Sequence, residues 1–320
     1  MNLLEMITVE TGLSASDADR IIRSAPKRYK QYQIPKRTGG YRTIAQPSRE
    51  LKLLQRLLMD QWLTKLPVHS SAMAYVRSKN ISNNAYAHKR NSAILKLDFE
   101  NFFPSIRVRD WKTFVSERPS PWDASGDLAR VASILFWGQG RREPMCLSIG
   151  APSSPIISNL LMFRLDRQFF EKAQSLGVSY TRYADDITAS APTVELLVEF
   201  ERYVRSTLKS CKSPKLKINE GKRGIYTSGQ RRMVTGLILT PDGSISIGRE
   251  RKRKIAALLH LFGLGNLDVD QLGYLKGMLG FSIANEPDFV TRMRRKYGNE
   301  IVDGVLTTHL PRRGERLPQG

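Results

Sequence analysis

Thr181-Arg182-Tyr183-Ala184-Asp185-Asp186-Ile187-Thr188-Ala189-Ser190 is the stretch on which the reading of this chain turns. Thr181–Tyr183 and Ile187–Ser190 are each strand-like, so the residues between them form a tight turn and two adjacent carboxylates stand at its tip. An ordinary two-residue hairpin turn uses Asn-Gly or Asp-Gly. Paired acids repel one another, and a positive partner is needed to hold them together. A divalent ion such as Mg²⁺ suits the position, because it takes hard oxygen ligands and often only one or two carboxylates, with substrate phosphates completing its shell. An isolated Asp-Asp is ordinarily a solvated acidic turn, so this pair needs a second feature to carry weight.

That feature lies upstream. Ala93-Ile94-Leu95-Lys96-Leu97-Asp98 is an apolar strand that ends in a carboxylate, and Phe99-Glu100-Asn101-Phe102-Phe103-Pro104-Ser105 turns immediately after it. A strand ending in an acid beside an acid-bearing hairpin is an arrangement in which three carboxylates hold two metal ions for in-line phosphoryl transfer. Asp98, Asp185 and Asp186 are therefore the candidate metal ligands.

Charge points to the substrate class. The 320 residues carry 51 Lys+Arg against 30 Asp+Glu, a net +21. Residues 20–52 hold ten bases against one acid, and residues 200–232 hold ten against two, so +17 of the excess sits in two short stretches. Concentrated positive charge marks a groove for a polyanion. An anionic membrane fits less well, since no stretch joins a basic face to a broad apolar one. The densest apolar run, Val131–Trp137, is far too short to span a bilayer. The N-terminus, MNLLEMITVE, has acids where a signal peptide has lysines. Two cysteines, Cys146 and Cys211, exclude a disulfide scaffold and a multi-cysteine metal site. These features set the expectation of a cytoplasmic protein without membrane partners.

The apolar fraction of 41% is enough for packed cores. Residues 1–24 read as one or two short helices with Ser14 or Ser16 as a cap. Residues 29–46 read as a hairpin around Gly39-Gly40 with Lys36, Arg37 and Arg42 at its basic tip, and residues 48–66 as a helix with stripe Leu51, Leu54, Leu58 and Trp62. Helices follow at 127–137, 156–175 and 194–209, two short strands flank Pro241-Asp242-Gly243, and residues 249–262, 268–283 and 287–297 are helical. The expected class is α+β: an N-terminal helical extension (1–25), a central domain (26–240) and a helical tail (241–320).

LDFENFFPSI from Leu97, GAPSSP from Gly150, YADD from Tyr183 and VTGL from Val234, in this order and at these spacings, resemble the palm motifs of reverse transcriptases. Asn84-Ala85-Tyr86-Ala87-His88 and Val234-Thr235-Gly236 are similar to two elements of the bacterial retron type, and RTIAQPSREL from Arg42 resembles its fingers. The resemblance covers residues 30–250 well. It implies a right-hand polymerase with fingers, an antiparallel palm sheet with helices, and a small helical thumb, making DNA on RNA with two Mg²⁺ ions. Asp98, Asp185 and Asp186 would then be catalytic and would bind the metals together with Phe99. Lys222 would protonate pyrophosphate, with Lys217 as the less favoured lysine. Arg42 would clamp the triphosphate beside Lys36, and Gly150, Ala151, Pro152 and Tyr183 would line the nucleotide site. Phe103 would exclude a 2′-hydroxyl. Asn84, His88, Arg251, Arg253, Arg294 and Arg295 would contact RNA. The chain departs from the pattern at Ile149, where relatives usually carry Gln before the loop glycine.

The retron type further implies a dedicated noncoding RNA that is both template and primer, synthesis from its 2′-hydroxyl to branched RNA–DNA, dNTPs as substrates, and an effector protein in phage defence. The alternatives left by sequence are a reverse transcriptase of group II intron or diversity-generating type and, less well supported, a non-catalytic RNA-binding palm protein. The absence of a maturase extension and the NAYAH stretch speak against the intron type. The intact acids speak against the non-catalytic reading.

Overall fold

The computed structural model describes residues 2–36, 39–118, 126–138, 140 and 145–310. Arg37, expected at the tip of the basic hairpin, lies outside them. The chain divides into two compact units, one of residues 1–79 and 93–225, the other of residues 80–92 and 226–320. This geometric division differs from the expected 26–240 and 241–320 partition. Short strands from residue 233 onward pair among themselves, and the helix Ile81–Tyr86 packs against them.

In the first unit, helices Leu3–Thr11 and Ala15–Ser24 come first, and Ser14 caps the second by accepting from the Asp17 amide at 3.1 Å. β1 (Tyr29–Pro35) and β2 (Tyr41–Pro47) form the expected antiparallel hairpin, exposed along most of β1. The helix Arg49–Gln61 buries Leu51, Leu54 and Leu58. It stops earlier than the periodicity suggested, because Trp62 leaves helical geometry and a 3₁₀ turn, Leu63–Lys65, follows.

β3 (Ala93–Asp98), β4 (Ser179–Tyr183), β5 (Asp186–Ala191) and β6 (Gly224–Tyr226) make a four-stranded sheet in the order β4-β5-β3-β6. β3 and β5 pair antiparallel with Asp98 opposite Asp186. Both strands are buried nearly throughout, so they read as continuous small and apolar runs rather than alternating ones. The helices Ser154–Ser175 and Val194–Ser210 cover the sheet. The core continues through Trp111, Phe136, Phe169 and Phe200.

In the second unit, β7 (Met233–Val234), β8 (Leu237–Leu239) and β9 (Ile245–Ser246) form a small antiparallel sheet, three strands where two were expected. Helices Arg249–Gly263, Val269–Asn285 and Pro287–Tyr297 match the periodicity, and a fourth, Asn299–Thr307, packs through Val302 and Val305. No helix among the described residues is long and apolar enough to cross a membrane. Both cysteines are free.

Candidate active site

The acids converge because two strand ends meet. β3 delivers Asp98 directly opposite Asp186, the first residue of β5, and the β4–β5 turn consists of Ala184 and Asp185. Carboxylate oxygens of Asp98, Asp185 and Asp186 all lie within 4.8 Å of one another. Backbone bonds tie the tips together: the Phe99 amide donates to the Asp185 carbonyl at 3.0 Å, and the Asn219 amide to the Asp98 carbonyl at 2.7 Å.

The turn is strained and braced from below. Ala184 adopts φ +58°, a left-handed conformation that disfavours any side chain. Its carbonyl accepts from Arg182 Nη1 at 2.9 Å. Arg182 is fully buried and forms a bidentate pair with buried Asp166, Nε to Oδ1 at 2.8 Å and Nη2 to Oδ2 at 2.6 Å. Arg182 Nη2 also donates to Asn159 Oδ1 at 3.1 Å, and the Tyr180 hydroxyl donates to Asp166 at 2.8 Å. Each member of this network is hydrogen-bonded, the condition under which a buried ion pair rigidifies rather than disrupts.

Electrostatics mark the acids as a cation site. Burial first, and then the Asp98 charge, raise the Asp185 carboxyl above its ordinary range. Burial, a hydrogen bond with Asp98 and the Asp185 charge push Asp186 up to about 7. Lys222 Nζ sits 2.7 Å from Asp98 Oδ2. Its partial burial works against the ammonium, but the Asp98 bond and the three carboxylates outweigh that and raise its pKa. Three hard oxygen donors in mutual repulsion fit a divalent ion and no softer metal. Phe99 has a buried apolar side chain, so only its backbone carbonyl could join such a site.

A cavity of about 410 Å³ is lined by Phe103, Ile149, Gly150, Ala151 and Pro152, together with Lys52, Arg56 and Tyr75. Gly150 is required there: its φ is +125°, and a Cβ would stand 3.0 Å from the Ala45 carbonyl oxygen. The loop is tied to β2 by the Ala45 amide, which donates to the Ile149 carbonyl at 2.9 Å. Phe103 is half-buried at the cavity wall while Phe102 is in the core. Arg42 is exposed on β2. Lys52, Arg56 and Tyr75 were not singled out from sequence. For the two cations the signal was the spacing of four along the helix after the Ser48 cap.

In the second unit the two retron-like stretches, far apart in sequence, come together. The helix holding Asn84 packs on β7 and β8, and Thr235 Oγ1 donates to the Ile81 carbonyl at 3.1 Å. Asn84 and His88 are fully buried, so in this conformation neither side chain reaches the surface where RNA would lie. The exposed residues of that stretch are Tyr86 and Ala87, with the Lys89 ammonium 3.8 Å from the Tyr86 ring centre. Arg251 donates to the Gly236 carbonyl at 2.7 Å and Arg294 pairs with Asp303 at 2.6 Å, giving both intramolecular duties. Arg253 and Arg295 are exposed.

The family model for reverse transcriptase (RNA-dependent DNA polymerase) matches residues 34–274. Retron Ec83 reverse transcriptase of Escherichia coli is 36% identical over 305 residues, covering 93% of this chain and 97% of the relative. Retron Ec73 and retron Ec86 reverse transcriptases of the same organism are 32% and 31% identical, over 94% and 96% of this chain and 96% and 94% of theirs. The chain belongs to the retron reverse transcriptases. It is accordingly an RNA-directed DNA polymerase, and the α+β architecture expected of one is the architecture observed. Reverse transcriptases use divalent metal, and the three carboxylates are the cluster of metal-ligating side chains found among the described residues.

Proposed function

We propose that this reverse transcriptase copies a noncoding RNA of its own into DNA, starting from a 2′-hydroxyl of that RNA and leaving a branched RNA–DNA product, with two Mg²⁺ ions held by Asp98, Asp185, Asp186 and the Phe99 carbonyl. The observation that carries the chemistry is the convergence of the three carboxylates within 4.8 Å at the joined ends of β3 and the β4–β5 hairpin. When bound, the ions would supply Lewis-acid activation of the attacking hydroxyl and charge neutralisation on the phosphates. The chain's own residues do the rest. Asp98 is held in position by Lys222, which in this reading gives its proton to the departing pyrophosphate. Arg42 reaches the triphosphate from β2, and Gly150, Ala151, Pro152 and Tyr183 border the nucleotide. Phe103 narrows the cavity where a ribose 2′-hydroxyl would sit.

RNA would be gripped by exposed cations of the second unit, Arg253 and Arg295 among them, with Asn84 and His88 shaping that surface from within. The burial of those two side chains supports this indirect role. By family membership we assign the protein to the cytoplasm, and to phage defence with an effector protein as partner. Sequencing the nucleic acid that copurifies with the protein tests the reading: one branched RNA–DNA species supports it, and a heterogeneous mixture of cellular RNA without attached DNA overturns it.

A further inference from the structure

Tyr75 is a second strained residue beside the acids, at φ +62°. Left-handed backbone at a bulky side chain is strained and persists only where the surroundings impose it. The surroundings here are specific. The carbonyl of Ala74, immediately before Tyr75, accepts from Asn159 Nδ2 at 2.9 Å, and Asn159 Oδ1 accepts from Arg182. The Met73 amide donates to the Arg182 carbonyl at 2.8 Å. The buried arginine that braces the catalytic turn thus also fixes the segment carrying Tyr75.

The strain gains nothing for the core. Tyr75 is 53% exposed, so burial of its ring does not repay the conformation. The conformation instead presents the ring to the cavity, where it faces Phe103 at a centroid distance of 6.5 Å. The neighbouring wall residue Ile149 offers no polar side-chain atom. Two further hydroxyls of the lining, on Ser148 and Ser154, are buried and have no hydrogen-bond partner. Burial first, and then the charge of Asp185, raise the Tyr75 phenol above its ordinary value, so the hydroxyl in the cavity lining stays protonated and can donate.

Building on the polymerase reading above, we propose that Tyr75 is a nucleotide-positioning residue whose hydroxyl donates a hydrogen bond to the sugar–triphosphate part of the incoming deoxynucleotide while its ring, with Phe103, walls the pocket. The contact is independent of the base. The test is steady-state extension of a primed RNA template by wild type, Tyr75→Phe and Tyr75→Gly, with each of the four dNTPs and with melting temperature as a folding control. Tyr75→Phe removes one exposed oxygen and should raise KM about threefold to tenfold, the loss expected of one hydrogen bond, equally for all four bases and with kcat nearly unchanged. Glycine adopts φ +62° without strain, so Tyr75→Gly should hold or raise the melting temperature while raising KM further. An unchanged KM in Tyr75→Phe, or an increase confined to one base, overturns the proposal. A wild-type enzyme that fails to extend the template would instead overturn the polymerase reading itself.

Discussion

Asp186→Asn should stabilise this enzyme in the absence of metal and destabilise it, relative to wild type, in its presence. The ordinary carboxyl value is 3.8, and Asp186 is pushed up to about 7 by burial and by Asp98 and Asp185. Because the folded-state value is the higher, the unfolded chain releases its proton first as pH rises. Stability from this group is therefore fully present below about pH 4 and is lost as pH climbs through about 7. At about 1.4 kcal/mol per pH unit the ceiling is about 4 kcal/mol. The Asp186 side chain is only partly covered at the hairpin end, so water screens the repulsion and about 1–2 kcal/mol is the expected effect. That corresponds to a melting temperature roughly 1.5–3 °C higher for Asp186→Asn in EDTA at pH 8, with the difference vanishing near pH 4. The titration belongs to the three acids jointly, so Asp185→Asn should flatten the same profile. Millimolar Mg²⁺ should reverse the order, since wild type gains binding free energy that the variant forfeits. The assay is calorimetry from pH 4 to 9 with EDTA or Mg²⁺. Parallel pH profiles for wild type and Asp186→Asn in EDTA would refute the claim that these carboxylates repel one another in the empty site.

Asp185→Asn should abolish extension of a primed RNA template while RNA binding, followed by filter retention, survives; extension near the wild-type rate would refute the metal-site assignment. Phe103→Val should open space for a 2′-hydroxyl and raise the ratio of ribonucleotide to deoxynucleotide incorporation, and an unchanged ratio with activity retained would return Phe103 to a packing role. Binding to primer–template should weaken steeply with salt, log K falling by about 0.7–0.9 per phosphate neutralised for each tenfold change in salt; a flat titration would contradict a polyanion groove. Charge reversal at exposed Arg253 and Arg295 should reduce priming on the cognate RNA more than extension of a generic annealed primer. Equal losses would make the second unit a nonspecific clamp.

The parts of the fold that repeat with a clear period were legible. The helices at 194–210, 249–263 and 287–297 carry apolar stripes, and a cap or turn residue begins or ends each. Asn299–Thr307 was not legible, since NEIVDGVLT mixes β-branched residues with a glycine and shows its helix only once Val302 and Val305 have neighbours to pack against. Ile81–Tyr86 escaped for a related reason. Ile81, Tyr86 and the four polar or small residues between them form a helix because Asn80 caps them and the small β7-β8-β9 sheet receives them. Val108–Ser116 has the stripe of an amphipathic helix, buried at Trp111, Phe114 and Val115, but no strong cap residue precedes it in the sequence.

The site divides along a different line. The acids were legible because catalytic geometry at strand ends leaves a local mark: a carboxylate closing an apolar run, and two more at a turn where glycine or asparagine would be cheaper. Their support leaves no such mark. Arg182 lies within the quoted stretch, yet its role depends on Asp166, 16 residues earlier, and on Asn159, 23 residues earlier. Asn159 in turn reaches Ala74, 85 residues away. A local pattern cannot show that one arginine braces both Ala184 and the segment before Tyr75, because the coupling exists only after the long helix Ser154–Ser175 has packed beside β4. The same argument explains the burial of Asn84 and His88, which their sequence does not announce. Polar residues in a distinctive stretch suggest a ligand, but both side chains are fully buried, and that stretch meets solvent through Tyr86 and Ala87. Chemistry-bearing residues can therefore be read from their spacing, whereas the residues that hold them in place become visible only through contacts that fold distant segments together.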